Sequence, residues 1–332
     1  MMGRRLNPFT IKGPVPPRLF FDRKSEVRLF WRSLELGAYD VLISIIAPFR
    51  FGKSSLMKKY VSIAGSYGDV IPIYLPMKAT IRPIRRILNV VSSYIDGAKR
   101  LLGRRLPLDE LFERLNELLE KSNKTMIIFI DEFQIFPRRL RAEGFLRRYD
   151  NRDIFLFLRG VSEEYRIGLV VSGSYIGALL NAIKLWNGRF IELKLGPFPR
   201  EDSLEMLRTL FDISPLRVSD EVIEYIATTM GDHPYYMQLF GYYLVNEGKA
   251  DDTTIEKVRN KVLKSILPMF SNKYLHLSDR IESLSQILQK ISVGDTSFSN
   301  NELRCIQGLE KMGIIYVEGT KIEFSDPLFR RY

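Results

Sequence analysis

The chain has 332 residues, enough for a core domain and one or two smaller ones, and its 45% hydrophobic and 27% charged residues fit a globular protein. No apolar run approaches the roughly 18 residues of a membrane span, and the basic start lacks the apolar stretch of a signal peptide, so a cytoplasmic protein is expected. One cysteine and two histidines exclude an internal disulfide framework and a Cys/His metal cluster, while a net charge of +11 invites a polyanionic ligand.

Taken in chain order, five short β-branched or aromatic runs punctuate the first 200 residues: Val41–Ile46, Val70–Leu75, Met126–Ile130, Ile167–Ser172 and Phe190–Leu195. Their continuous apolar character predicts strands buried on both faces of a parallel sheet. Helical periodicity lies between them, at Ser54–Ala64, Ile84–Leu102, Leu108–Lys121 and Asp153–Tyr165. Alternation of this kind predicts an α/β layered core with right-handed crossovers. After Pro199 the pattern changes to four helices, Arg200–Phe211, Ser219–Thr229, Tyr235–Asn246 and Thr253–Leu267. Two further helices, Ser278–Lys290 and Asn300–Met312, precede short strands at Ile314–Glu318 and Lys321–Phe324, the order of a winged helix-turn-helix. The division expected is a core over 1–198, a helical lid over 199–270 and a winged helix over 271–332, with Ser271–His276 as the best linker.

The first predicted strand runs into Ala47-Pro48-Phe49-Arg50-Phe51-Gly52-Lys53-Ser54, with a helix immediately after. This is the spacing of a phosphate-binding P-loop, with alanine in place of the usual first glycine. Backbone N–H groups of Phe49–Ser55, after Pro48 at the loop entrance, and the positive end of the helix dipole would cradle a β-phosphate. Gly52 lets the backbone approach without a Cβ, Lys53 would bridge β- and γ-phosphates, and the Ser54 hydroxyl would ligate Mg²⁺. The alternative is an ordinary glycine-containing βα turn.

The third predicted strand ends in Asp131-Glu132. Two carboxylates at the end of a buried strand are costly unless something uses them. Beside a P-loop, Asp131 would hold Mg²⁺ and Glu132 would polarise the attacking water. The next strand ends Ser172-Gly173-Ser174, and either serine would sense a γ-phosphate or position water; a plain turn is the other reading.

Six segments in order, Asn7-Pro8-Phe9, Phe20–Glu26, Arg50–Leu56, Ile130–Gln134, Ser172–Ser174 and Gly231–Tyr236, resemble the archaeal ATPases of the STAND class of P-loop NTPases, relatives of the AAA+ proteins. The resemblance spans nearly the whole chain. It implies an ATPase core, a helical lid and a C-terminal winged helix, with ATP or ADP and Mg²⁺ as ligands. It also implies that Phe21 and Arg23 border the adenine, although Asp22 stands where the family has glycine. Arg189, after Gly188, is similar to a phosphate sensor or arginine finger. The turn Gly231–Pro234 is similar to the lid element that touches nucleotide, which would bring His233 and Pro234 to a phosphate; Asp232 capping a helix begun by Pro234 accounts for the same residues locally.

The positive charge is unevenly placed. Residues 1–75 carry 12 Lys/Arg against 5 Asp/Glu and residues 76–150 carry 16 against 10, whereas 272–332 balance at 8 against 8. Arg138, Arg139, Arg141, Arg147 and Arg148 form a basic loop after the acidic strand end, interleaved with Phe145 and Tyr149. Such a loop grips a nucleic-acid backbone or is solvated surface. The helix Asn300–Gln307, with one arginine and one glutamate, lacks the charge of a groove reader and suits scaffold or partner docking. The sequence thus reads as an ATP-driven switch with a protein partner or second copy. A DNA-binding ATPase of replication, repair or a mobile element and an ADP-holding interaction module are the alternatives.

Overall fold

A computed structural model describes residues 7–21, 23–102, 106–145, 151–173, 186, 188–278, 284–295, 297–311, 314–318, 321–324, 326 and 328. Ser174, Arg147, Arg148, Tyr149 and Asp22 lie outside the described residues. The chain divides into two compact units, one of Pro16–Ala47 with Lys53–Leu195, the other of Met1–Val15, Pro48–Gly52 and Gly196–Tyr332.

The first unit is the α/β core. Strands β1 (Leu42–Ile46), β2 (Val70–Pro76), β3 (Thr125–Asp131), β4 (Ile167–Gly173) and β5 (Ile191–Lys194) pair in parallel in the order β2-β3-β4-β1-β5. Every residue of β3 and β4 is buried, which explains their uninterrupted apolar runs. Each fully buried Ile or Leu there contributes about 1.5–3 kcal/mol relative to exposure. Helices α1 (Lys24–Leu36), α2 (Lys53–Ala64), α3 (Pro83–Val91), α4 (Leu108–Lys121), α5 (Phe136–Glu143) and α6 (Asn151–Glu164) accompany the sheet. On α4 the buried residues are Leu108, Leu111, Phe112, Leu115 and Leu119, one apolar stripe, with Asp109 and Glu110 in the first turn.

Two expectations need correction here, and one helix is added. The helix expected over Ile84–Leu102 stops at Val91, with only a 3₁₀ turn at Ala98–Leu101 after Gly97 at φ +95°. The basic loop is in fact helical over Phe136–Glu143, because Phe136, Pro137 and Leu140 give it an apolar face that the arginines had masked. α1 was not foreseen; buried Phe30 and Leu34 anchor it.

The second unit is helical. It contains α7 (Arg200–Ile213), α8 (Asp220–Thr229), α9 (Pro234–Glu247), α10 (Asp252–Ser278), α11 (Leu284–Val293) and α12 (Asn300–Lys311), then the antiparallel strands β6 (Ile315–Glu318) and β7 (Lys321–Phe324). The linker expected at Ser271–His276 falls inside α10, which continues past Pro268. Two helices and a hairpin share a small core of Ile287, Ile291, Ile306, Leu309, Ile314 and Ile315. The N-terminal Asn7-Pro8-Phe9 belongs here too. Asn7 Nδ2 donates to the Tyr242 carbonyl at 2.9 Å, and Phe9 lies so close over Gly241 that a Cβ there would meet its ring at 2.1 Å.

Candidate active site

Within the core unit the polar groups gather at the carboxyl ends of the parallel strands, where open α/β sheets place their ligands. β4 lies between β1 and β3, so the strand that leads into the P-loop and the acidic strand are not neighbours. Lys53, the first residue of α2, is only 6% exposed, and its Nζ donates to the Ala47 carbonyl at 2.8 Å. Asp131, the last residue of β3, is 6% exposed. Its Oδ1 accepts from the Ser172 hydroxyl at 2.6 Å and its Oδ2 from the Tyr74 hydroxyl at 2.9 Å. Those two bonds compensate a buried charge and orient its remaining lone pairs. Burial above all, then the charge of Asp131, pushes the Tyr74 hydroxyl well above its ordinary value, so it stays a donor.

Glu132 follows in a left-handed conformation, φ 60°. Lys78 Nζ donates to its Oε1 at 2.7 Å and Gln134 Nε2 to its Oε2 at 2.5 Å. Burial pushes this carboxyl up, but the bonds from Lys78 and Gln134 and the charges of Lys78 and Lys53 outweigh it and hold it below the ordinary glutamate range. Arg189 is half exposed and paired with Glu163 of α6 at 2.9 Å, an acid that Arg159 also holds at 2.7 Å. Arg23 is buried, at φ 62°, and lies 3.6 Å from Glu26; Phe21 beside it is half-buried. Ser54 is half-buried and Ser55 buried, both in the first turn of α2.

The second unit holds the rest of the P-loop. Pro48 and Phe51 are buried, Phe49 and Arg50 exposed. Gly52 has φ +91°, a region closed to other residues without strain, and nothing lies within 4 Å of where its Cβ would be. Arg50, at φ 71°, places its guanidinium 3.9 Å from the centre of the Tyr235 ring. Phe51 packs on His233 with ring centres 4.2 Å apart, and His233 stacks on Tyr236 at 3.8 Å. Pro234 begins α9, as its fixed φ favours, but His233 is the N-cap and its Nδ1 accepts from the Tyr235 N–H at 3.2 Å. Asp232, expected as the cap, instead stands at φ 54° and pairs with Arg200 at 3.2 Å.

Among the described residues five non-glycine residues have positive φ, and four of them, Arg23, Arg50, Glu132 and Asp232, are site candidates or adjoin one. Strain of this kind costs about 1–3 kcal/mol per residue and concentrates where function fixes the backbone. Sequence reasoning missed Lys78, Tyr74 and Gln134. Lys78 and Tyr74 come from an edge strand and its exit, where Tyr74 pairs with Phe129 and Pro76 with Asp131, a register no motif announces. Gln134, two residues after Glu132, was within reach as a polar neighbour in the same motif. Of the two serines proposed at the end of the fourth strand, Ser172 is bonded to Asp131, and Ser174 lies outside the described residues.

The donor set fits Mg²⁺ and a triphosphate. A hydroxyl at Ser54 and an oriented carboxylate at Asp131 suit a hard cation that keeps most of its ligands as water and phosphate oxygens, and the buried ammonium of Lys53 suits the phosphates themselves. Among the described residues no group of three or more His, Cys, Asp or Glu is placed to hold a metal, and a cation bound through substrate phosphates requires none. No helix among them is long and apolar enough to cross a membrane.

No protein-family model and no curated protein sequence matches the chain. Solved structures do. A Walker-type ATPase of Pyrococcus abyssi is similar over 97% of this chain and 98% of its own, with 21% identity and a TM-score of 0.71. The Orc2 protein of Aeropyrum pernix, solved in ADPNP–ADP complexes, matches 96% of this chain and 93% of its own at 15% identity and a TM-score of 0.58. Cdc6p of Pyrobaculum aerophilum matches 97% and 94% at 14% identity and a TM-score of 0.51. Sheet order, strand-end chemistry and these likenesses agree: the chain has the fold of the archaeal Walker-type P-loop ATPases.

Proposed function

We propose that this protein is a Mg²⁺-dependent switch of the STAND kind that binds and hydrolyses ATP. Its nucleotide state is coupled to movement of the helical lid, 199–270, and the winged helix, 271–332. The observation that carries this reading is the meeting of Lys53, Asp131 and Glu132 at the strand ends, with Asp131 oriented by Ser172 and Tyr74 and Glu132 kept ionised. The ADPNP and ADP of the Aeropyrum pernix Orc2 complexes favour an adenine nucleotide.

In this reading the P-loop backbone and Lys53 hold the phosphates, while Phe21 and Arg23 border the adenine. Ser54 and Asp131 would hold Mg²⁺, which neutralises charge on the phosphate oxygens. Glu132 orients a water and takes its proton as the water oxygen bonds to the γ-phosphorus and the bond to the ADP oxygen breaks. Ser172 keeps Asp131 aimed. Ser172 or Ser174 senses the γ-phosphate, Arg189 serves as a further sensor or an arginine finger, and the lid turn with His233 and Pro234 touches the nucleotide. A protein partner or second copy receives the signal.

A second reading, an ATPase that also binds DNA, rests on one surface. α3 and α5 pack together, and the Glu143 carboxylate at the end of α5 accepts the Ile84 and Arg85 N–H groups, both at 2.9 Å. Arg82, Arg85, Arg86 and Arg138 are exposed beside Arg139 and Arg141, and Glu143 is the one acid on either helix. Five arginines on two joined helices, with Arg82 at the N-cap of the first, suit a phosphate backbone better than a loose loop would.

Phosphate release from ATP, measured with Mg²⁺ present, with Mg²⁺ chelated, and with duplex DNA added, tests both readings. Turnover that disappears on chelation is expected. A chain that binds no ATP by calorimetry at millimolar nucleotide sinks the switch, and turnover indifferent to DNA at low salt sinks the second reading.

A further inference from the structure

The helical unit buries a carboxylate that neither reading above uses. Asp326, beyond the hairpin β6–β7, is 8% exposed, and its Oδ2 accepts from the Tyr236 hydroxyl at 2.5 Å. Its Oδ1 takes the Leu328 N–H at 3.0 Å, which fixes the carboxylate plane. A buried charge is tolerated only when hydrogen-bonded, and an isosteric amide would avoid that cost, so an aspartate here needs a reason. Its partner Tyr236 stands in the first turn of α9, close to the P-loop residue Phe51 through His233.

Tyr236 is 1% exposed and cannot turn freely. One face of its ring carries His233, nearly parallel at 21°. The imidazole is 0% exposed and is fixed twice, by that stack and by capping α9 through Nδ1. Phe51 of the P-loop, 0% exposed, packs on the same imidazole. Its neighbour Arg50 holds left-handed backbone that the loop alone does not favour, and its guanidinium rests on Tyr235, beside Tyr236 on α9. Burial first, then the charge of Asp326, holds the Tyr236 hydroxyl far above its ordinary value, while Arg50 opposes this; the phenol therefore remains the donor.

We propose that Asp326 is a positioning residue for the P-loop: through Tyr236 and His233 it holds Phe51, and with it the strained turn at Arg50–Gly52, in the phosphate-binding conformation. The C-terminal segment after the winged-helix hairpin is thereby a lever on nucleotide affinity. Whatever draws Asp326 off Tyr236 frees the Tyr236 ring, then His233, then Phe51. This rests on the nucleotide reading for its consequence, but the mechanical link exists without nucleotide.

The test uses the full chain and the near-isosteric Asp326→Asn and Tyr236→Phe variants. Hydrogen–deuterium exchange without nucleotide is read on the peptide covering 47–56 and, as a control, on β3. Both variants should speed exchange in 47–56 about 5- to 10-fold and leave β3 unchanged. Mg-ATP affinity should weaken by a similar factor with kcat nearly constant. The double variant should be no worse than either single one, because both break the same link. Adding Asp326→Asn to Phe51→Leu should likewise change nothing further. Loop exchange equal to the parent's, with loosening confined to the C-terminal segment, overturns the proposal and makes Asp326 a staple for that segment alone. Additive losses in the double variant overturn it too. If the parent binds no ATP, the switch reading fails on that ground, and the exchange comparison still decides whether the link exists.

Discussion

The core sheet and the C-terminal helices hold their buried polar groups by different means. Around the carboxyl ends of the core strands the site is built from charges, the buried Lys53 and Asp131, the half-buried Glu132 and the exposed Lys78, each answered by an opposite charge, a hydroxyl or a carbonyl. At the start of α9 it is built from rings: Phe51, His233 and Tyr236 in sequence, with one carboxylate behind the last. Charges act where bonds change, because their fields reach several ångströms in a water-poor site. Packed rings, one pair tilted and one stacked, act by shape, passing a displacement from one ring to the next but contributing little field. Under the proposed function, the contrast gives the chemistry to the core and the control to the helical unit.

The largest test of that division is Glu132→Gln. It preserves size and the bond from Gln134 but removes the base, so turnover should fall about 10²- to 10⁴-fold with ATP still bound. Single-turnover phosphate release beside calorimetric binding checks this, and undiminished turnover would move the chemistry elsewhere. Lys53→Ala should weaken ATP binding about 10- to 100-fold, the range for one or two charge-assisted bonds, without loss of the folded signal in circular dichroism. A variant that binds as tightly as the parent breaks the assignment of the core to phosphate.

The arginine surface extends the comparison to nucleic acid. Replacing Arg138, Arg139 and Arg141 with glutamine should flatten the salt dependence of duplex binding by about two to three units, and Arg304→Gln in α12 by less than about one. Fluorescent duplex titrated at several salt concentrations gives both slopes. If Arg304→Gln does more damage, the C-terminal unit reads DNA and the division fails. No binding by the parent at low salt makes the surface of α3 and α5 merely solvated.

The smallest effect concerns pH. Glu132 is held below the ordinary glutamate range, so its interactions contribute stability above the unfolded value, and this is lost as pH falls through the folded one. The acid limb of hydrolysis should accordingly lie below the usual glutamate range. Lys78→Met removes a hydrogen bond and a positive charge and should move that limb upward while leaving turnover at neutral pH within a few-fold. A pH–rate profile of parent and variant measures the shift, and an unmoved limb would mean that Lys78 does not set the carboxylate.

Much of the core was legible because parallel strands buried on both faces leave unbroken apolar runs, and because a P-loop needs its glycine, lysine and hydroxyl at fixed spacing. Val41–Ile46, Lys53, Ser54, Asp131 and Glu132 could be placed from those facts alone, and α4 was bounded at both ends by its apolar period. Local pattern misled where charge hid an apolar face: Phe136–Glu143 read as a basic loop because its buried residues are three among four charges. What only the tertiary structure decided was partnership between distant residues. Ser172 against Asp131, Lys78 against Glu132 and Asp326 against Tyr236 lie 41, 54 and 90 residues apart. A sequence records periodicity and spacing along one chain direction. Which strand lies beside which, and which ring meets which carboxylate, depends on how the layers pack, and that is settled only when the apolar faces are buried together.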